Sequence, residues 1–126
     1  MRNRGLSYFL SLLCLVLGAQ AALAATPAVR DMAGILMHLE HYPSDAEKAK
    51  LKDIIASKAT TEQERMLAAA IANLKHAAAD ADKPKLQQLT GDTSAPAEVR
   101  DMAGIILNLN HKPSAADKGK LQQMMK

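Results

Sequence analysis

The sequence repeats itself at an interval of 35 residues. Three copies of one unit follow one another along the chain, Val29–Gln63, Glu64–Glu98 and Val99–Lys126. The first and third copies align without a gap, and fifteen of the twenty-eight positions that pair residues 29–56 with residues 99–126 are identical. Repeats of roughly 20 to 50 residues are typical of small supersecondary units that cannot bury their apolar face alone and therefore stack on their neighbours. The repeat predicts an array of similar units.

The first 24 residues have the pattern of a secretory signal peptide. Arg2 and Arg4 form a basic start, and an apolar stretch runs from Leu6 to Leu17. Ala22-Leu23-Ala24 supplies the small residues that precede a cleavage site, and Ala19-Gln20-Ala21 is a second candidate. The apolar stretch is shorter than the ~20 residues that span a bilayer. We therefore expect export to the bacterial periplasm or beyond the cell, with residues 1–24 removed and no membrane span remaining.

Removal of the signal peptide leaves residues 25–126, enough for a single domain. The net charge of this part is +1, because thirteen acidic and fourteen basic residues remain. Tyr42 is its one aromatic residue, whereas nucleic-acid binding usually requires a basic face and aromatic rings for stacking. It has no cysteine, which excludes disulfides, thiolate metal sites and covalently attached haem. We predict no nucleic-acid partner and no cofactor.

Each unit has the pattern of two helices joined by a short turn. The apolar residues of the first helix are Val29, Met32, Leu36 and Leu39 in the first copy. Their spacing of three and four residues places them on one helix face. In the turn His41-Tyr42-Pro43-Ser44, proline disfavours helical geometry before it and serine is a good N-cap. The first helix should end near the histidine and the second should begin at the serine, with Glu47 completing a capping box. The expected fold is all-α: three tandem helix-turn-helix units with six short helices, forming a small α-solenoid or a helical bundle.

The middle unit departs from the other two at its turn, where Ala77-Ala78-Ala79 replaces the serine-bearing sequence. Pro84 would remove a backbone hydrogen bond from a second helix that began as early as in the other units. We therefore expect this helix to begin near Asp82 and to be shorter. Thr61 and Glu64 predict the cap of the unit's first helix.

Gly34 and Gly104 occupy the middle of the first helix in two of the copies. Glycine at such a position costs about 1 kcal/mol relative to alanine. Their presence indicates either the close approach of a neighbouring helix or a neutral glycine carried along by duplication.

Two other residue types recur at one position in every unit. Arginine stands near the start of the first helix, at Arg30, Arg65 and Arg100. Leucine recurs in the second helix, at Leu51, Leu86 and Leu121, where it predicts a core stripe. A positive charge is disfavoured at a helix N-terminus, so the arginines should have acidic partners. The candidates are the acids that also recur, Glu47, Asp82 and Asp117. A site for an anionic ligand is the alternative for the arginines.

Histidine also recurs once per unit, at His41, His76 and His111. A histidine at a helix end can hydrogen-bond the last carbonyl groups and interact favourably with the helix dipole, which is the structural interpretation. A metal site instead requires the imidazoles to lie within about 4 to 5 Å of one another. Linear stacking places neighbouring helices ~8 to 10 Å apart, so only a closed pseudo-threefold bundle would bring the three together. His38, one helical turn before His41, offers a local pair in the first unit alone.

The residue pattern gives little support to catalysis. The chain after residue 24 has no thiol, no glycine-rich phosphate loop and no serine in a nucleophile motif. We predict a non-enzymatic exported helical-repeat protein, a protein-binding or scaffold module that binds another protein, or itself, along the face of the stacked units. The alternative is a periplasmic zinc- or copper-binding protein that uses His38, His41, His76 and His111.

Overall fold

The computed structural model describes residues 25–126, and the predicted signal peptide lies outside the described residues. This part of the chain contains six helices and no β-strand. The helices are α1 (Pro27–Met37), α2 (Asp45–Ala56), α3 (Glu62–Ala72), α4 (Lys83–Thr90), α5 (Ala97–Asn108) and α6 (Ala115–Met124). The prediction of an all-α fold with six short helices is confirmed. None of these six helices combines the length and the apolar character that a membrane span requires.

Side-chain caps fix where most of these helices begin. Ser44 caps α2 and Thr61 caps α3, and each forms a full capping box with the glutamate three residues later. Ser114 caps α6 through the backbone N–H of Asp117, without the reciprocal side-chain bond. Thr26 accepts a hydrogen bond from the N–H of Val29 at the start of α1. Each cap satisfies a backbone donor that the first helical turn leaves free.

The second helix of the middle unit is the shortest, as Pro84 predicts. It is α4, which has eight residues, with Asp82 at the N-cap position and Pro84 within its first turn. Proline is tolerated there because the N–H groups of the first turn have no partner within the helix. The helix therefore begins where its proline is harmless.

The six helices close into a ring. Each second helix packs mainly on the first helix of the next unit: α2 on α3, and α4 on α5. The last helix, α6, returns to pack on α1, so the third unit meets the first. The three first helices, α1, α3 and α5, also contact one another at the centre. The fold is therefore a closed bundle with approximate threefold symmetry, which is the bundle form of the predicted architecture and not an open solenoid.

The predicted apolar stripes form the core of this bundle. In α1 the side chains of Val29, Met32 and Leu36 are at most 2% exposed, and the leucines of the second helices are equally buried, with Leu51 and Leu121 at 0% and Leu86 at 2%. The core is continuous and almost entirely aliphatic. Burial of each such side chain contributes about 1.5–3 kcal/mol relative to exposure.

The structure answers the question raised by the mid-helix glycines. A Cβ atom added at Gly34 would lie 3.8 Å from Cε of Met125, and one added at Gly104 would lie 3.9 Å from Cγ2 of Thr90. These are ordinary van der Waals distances. No close helix approach at these two positions requires glycine, which favours the interpretation that duplication carried it along.

The prediction that the repeated arginines pair with the repeated acids is wrong. Between residues 25 and 126 the one ion pair is formed by Lys83 and Asp80. Arg65 instead donates from Nη1 to the carbonyl oxygen of Thr60 at 2.6 Å, in the loop before α3. For Arg65, backbone carbonyls of the preceding loop therefore take the place of the expected carboxylate.

Candidate metal centre

The three repeated histidines lie in the loops that follow the central helices. Helices α1, α3 and α5 end at Met37, Ala72 and Asn108, so His41, His76 and His111 come three or four residues later. The first helices thus end earlier than the sequence predicts. The ring nitrogens of these histidines bond to one another or to Asn110, and across residues 25–126 none bonds to a helix carbonyl. The interpretation of these histidines as helix caps is therefore wrong.

Buried residues on both sides hold each histidine loop against the core. The residue two places before the histidine is a buried leucine in every unit: Leu39, Leu74 and Leu109. The residue two places after it is also buried: Pro43, Ala78 and Pro113. The histidines between these anchors are exposed. The loops therefore have their apolar residues in the core and their imidazoles at the surface.

Backbone hydrogen bonds join the three loops side by side. The N–H of His76 donates to the carbonyl oxygen of His41 at 2.8 Å, and the N–H of His111 donates to that of His76 at 2.6 Å. His76 and His111 have φ angles of 67° and 70°, in the left-handed region that few residues other than glycine adopt. These contacts link residues 35 positions apart, which explains why local sequence rules did not place the histidines.

The imidazole rings converge on the approximate threefold axis. Their centroids lie 4.7 to 5.4 Å apart, and one nitrogen from each ring can be chosen so that all three lie within 4.8 Å of one another. The Nδ1 atoms of His41 and His76 are 3.2 Å apart. Tetrahedral coordination with metal–nitrogen distances of ~2.0 to 2.1 Å requires nitrogens about 3.3 Å apart. The nitrogens of His41 and His76 already have this spacing, and a nitrogen of His111 lies within 4.8 Å of both.

The surroundings of the three rings are polar and charged. Lys75 precedes His76, Lys112 follows His111 and Glu40 precedes His41, and all three are exposed. Tyr42 is 62% exposed, and Nζ of Lys48 lies 5.9 Å from the centroid of its ring. Nδ1 of His111 lies 2.9 Å from Oδ1 of Asn110, so the Nε2 atom of this ring is the freer one for a ligand.

The structure does not bring His38 into this cluster. It is the C-cap residue of α1, whereas His41 lies beyond the helix, so the two are not one turn apart on a helix face. The cluster of potential ligands in the described residues consists of His41, His76 and His111. Of the four histidines predicted as alternative metal ligands, three therefore converge.

A cavity of about 550 Å³ lies at the other end of the central helices, near their N-termini. Val29 and Val99 line it, with Glu64 at the equivalent position of the middle unit. Glu64 is 3% exposed and accepts hydrogen bonds from the N–H of Thr61 and the hydroxyl of Thr26. The sequence predicted Glu64 as part of a helix cap, but not as a buried hydrogen-bond partner of Thr26. Nε of Arg100, which also lines the cavity, is buried without a partner among the described residues.

Comparison of the chain with protein-family models, with curated proteins and with solved structures finds no match.

Proposed function

We propose that this protein is an exported, non-enzymatic metal-binding protein that holds zinc or copper through His41, His76 and His111. The observation that carries the proposal is the convergence of three imidazoles, one from each unit, with nitrogens within 4.8 Å of one another. Neutral imidazole is a good ligand for both metals, and Cu²⁺ should bind more tightly than Zn²⁺ at such a site.

The backbone at the site also supports a role for the histidines beyond packing. Residues in the left-handed region cost of order 1–3 kcal/mol and are concentrated at functional sites. His76 and His111 adopt this conformation at exposed positions, where glycine would avoid the cost. A metal bond from each unit offsets that cost, because the metal binds the histidines of the folded bundle and not the separated loops of the unfolded chain.

The first experiment is a titration of the purified chain 25–126 with Zn²⁺ and Cu²⁺. Calorimetry measures binding, and thermal unfolding measures the change in Tm. At a free metal concentration of 100 Kd, binding stabilises the fold by about 2.7 kcal/mol. For a domain of this size that raises Tm by about 10–20 °C. Because protons compete with metal for imidazole nitrogen, the stabilisation should decrease at acidic pH. No change in Tm with a fivefold excess of either metal contradicts the proposal.

Substitution of single histidines locates the metal. Each of three variants, His41→Asn, His76→Asn and His111→Asn, should remove most of the stabilisation by metal, because only two imidazoles remain. Asparagine is chosen because it tolerates the left-handed conformation of His76 and His111. His38→Asn is the matched control, because Asn73 and Asn108 stand at that position in the other units. The site assignment is wrong if His38→Asn reduces metal affinity as much as the cluster variants do.

Binding of another protein, or self-association, is a second proposal. Its support is the cavity of about 550 Å³ near the N-termini of α1, α3 and α5, whose lining includes the apolar side chains of Val29, Ala95 and Val99. Light scattering over a concentration series tests self-association: the chain should dimerise, and Ala97→Lys, an exposed change at the cavity rim, should keep it monomeric. A wild-type monomer at high concentration excludes self-association.

Export and cleavage are proposed on the sequence of residues 1–24 alone. Expression of the full chain in a bacterium, with mass measurement of the periplasmic product, should give a protein that begins at Ala25. A product that keeps residues 1–24 would contradict this.

A further inference from the structure

We propose that a metal ion bound by the three histidines keeps one coordination position open to solvent, and that this position takes a small anion such as a carboxylate. The inference rests on the proposed metal binding and concerns what the loaded centre binds in turn. It follows from the number of ligands, their exposure and the charges beside them.

The number and arrangement of the ligands leave the metal incompletely coordinated. Structural zinc sites have four protein ligands, whereas sites with three protein ligands keep water or an exchangeable ligand in the fourth position. In residues 25–126 the cluster offers three imidazoles. The buried leucines Leu39, Leu74 and Leu109 lie on the inner side of the loops, and their side chains carry no donor atom for a metal. The remaining position therefore faces outward.

The charges around the outward position select an anion. Three neutral imidazoles leave the full 2+ charge of the metal, which becomes the largest local charge. Lys75 and Lys112 are each adjacent along the chain to a ligand histidine and add two positive charges, and Glu40 subtracts one. The loaded centre thus has a local charge of about 3+ in open solvent, which attracts anions and disfavours a cationic partner.

The experiment uses Co²⁺ as a spectroscopic substitute for zinc, with azide and acetate as probes. The chain 25–126 is loaded with Co²⁺ at low ionic strength, and visible absorption is followed as each anion is added. Both anions should change the spectrum with saturation, and the apparent Kd should increase with salt, because screening weakens charge attraction.

Charge variants test the role of the flanking residues. For a lysine charge on the order of 8 Å from the bound anion in a water-like dielectric, Lys75→Gln or Lys112→Gln alone should weaken anion binding about twofold. The double variant should weaken it about fivefold. Glu40→Gln should strengthen binding about twofold. Lys58→Gln is the matched control, because Lys58 is exposed in the loop between α2 and α3, at the end of the bundle away from the histidines.

The outcomes separate this inference from the proposed function. If Co²⁺ gives no protein-dependent spectrum, neither the metal site nor the anion site exists. If Co²⁺ binds but azide and acetate leave the spectrum unchanged, the metal site stands and the open position is refuted. If the lysine double variant and Lys58→Gln bind anions equally, the flanking charges do not select the ligand and the anion preference is wrong.

Discussion

Closure of the bundle can be tested by truncating the same leucine in each unit. Leu51, Leu86 and Leu121 occupy one repeat position and are 0%, 2% and 0% exposed. Leu121 belongs to the last helix, α6, which is buried because it packs on α1 of the first unit. In an open array the last helix would lack a neighbour on one side, and Leu121 would be partly exposed.

The two arrangements predict different stabilities for the same chemical change. In the closed ring, Leu51→Ala, Leu86→Ala and Leu121→Ala should each lower the free energy of unfolding by about 2–5 kcal/mol, the usual cost of removing a fully buried leucine. In an open array, truncation of the terminal Leu121 to alanine would lower the free energy of unfolding by about 1 kcal/mol or less, as it does at partly exposed positions. The free energy of unfolding of a domain of this size is roughly 5–15 kcal/mol, so the stability of each variant should remain measurable.

The assay is urea unfolding of the chain 25–126, followed by circular dichroism, for wild type and the three alanine variants. Valine at the same positions serves as a milder change, expected to cost about 1 kcal/mol, if any alanine variant fails to fold. A Leu121→Ala cost far below that of Leu51→Ala and Leu86→Ala would refute ring closure. It would also remove the basis for the histidine cluster, which requires the third unit to meet the first.

Two further changes have clear directions. Gly34→Ala and Gly104→Ala should each raise the free energy of unfolding by about 0.5–1 kcal/mol in urea titrations. Gly119→Ala, with no atom within 4 Å of the new Cβ, measures helix propensity alone, so a loss of stability confined to the first two would show that glycine is required there. Hydrogen bonds from the hydroxyl and N–H of Ser94 hold the pKa of Asp92 below its ordinary value of 3.8. These hydrogen bonds stabilise the fold above pH 3.8, and their contribution is lost as the pH falls and Asp92 takes up a proton. Ser94→Ala should therefore raise the pKa of Asp92 in an NMR titration, and it should lower the free energy of unfolding only above pH 3.8. An unchanged pKa would contradict this.

Much of the local structure was predictable because its causes lie within a few residues. The capping boxes at Ser44 and Thr61 fixed the starts of α2 and α3, and Pro84 fixed the late start of α4. Helix ends were less predictable. The sequence suggested that α1 extends almost to His41, but the helix ends at Met37. The carbonyl of His41 instead accepts a hydrogen bond from the N–H of His76, which lies in the corresponding loop of the next unit.

The candidate site was only half predictable. The recurrence of histidine at one repeat position was visible in the sequence, and so was the condition for a metal site, namely a closed pseudo-threefold bundle. His38 was equally plausible from sequence, because helical spacing placed it one turn from His41. Only the early end of α1 separates the two side chains.

By itself, the sequence of this protein determined the all-α class, the helical units, the residues of the core and most of the helix caps. These depend on periodicity and on hydrogen bonds between residues close in the chain. Tertiary structure alone decided that α6 packs on α1 and that His41, His76 and His111 share one axis. The physical reason is that ring closure depends on how the apolar faces of the first and last helices fit together, and no local pattern encodes that fit.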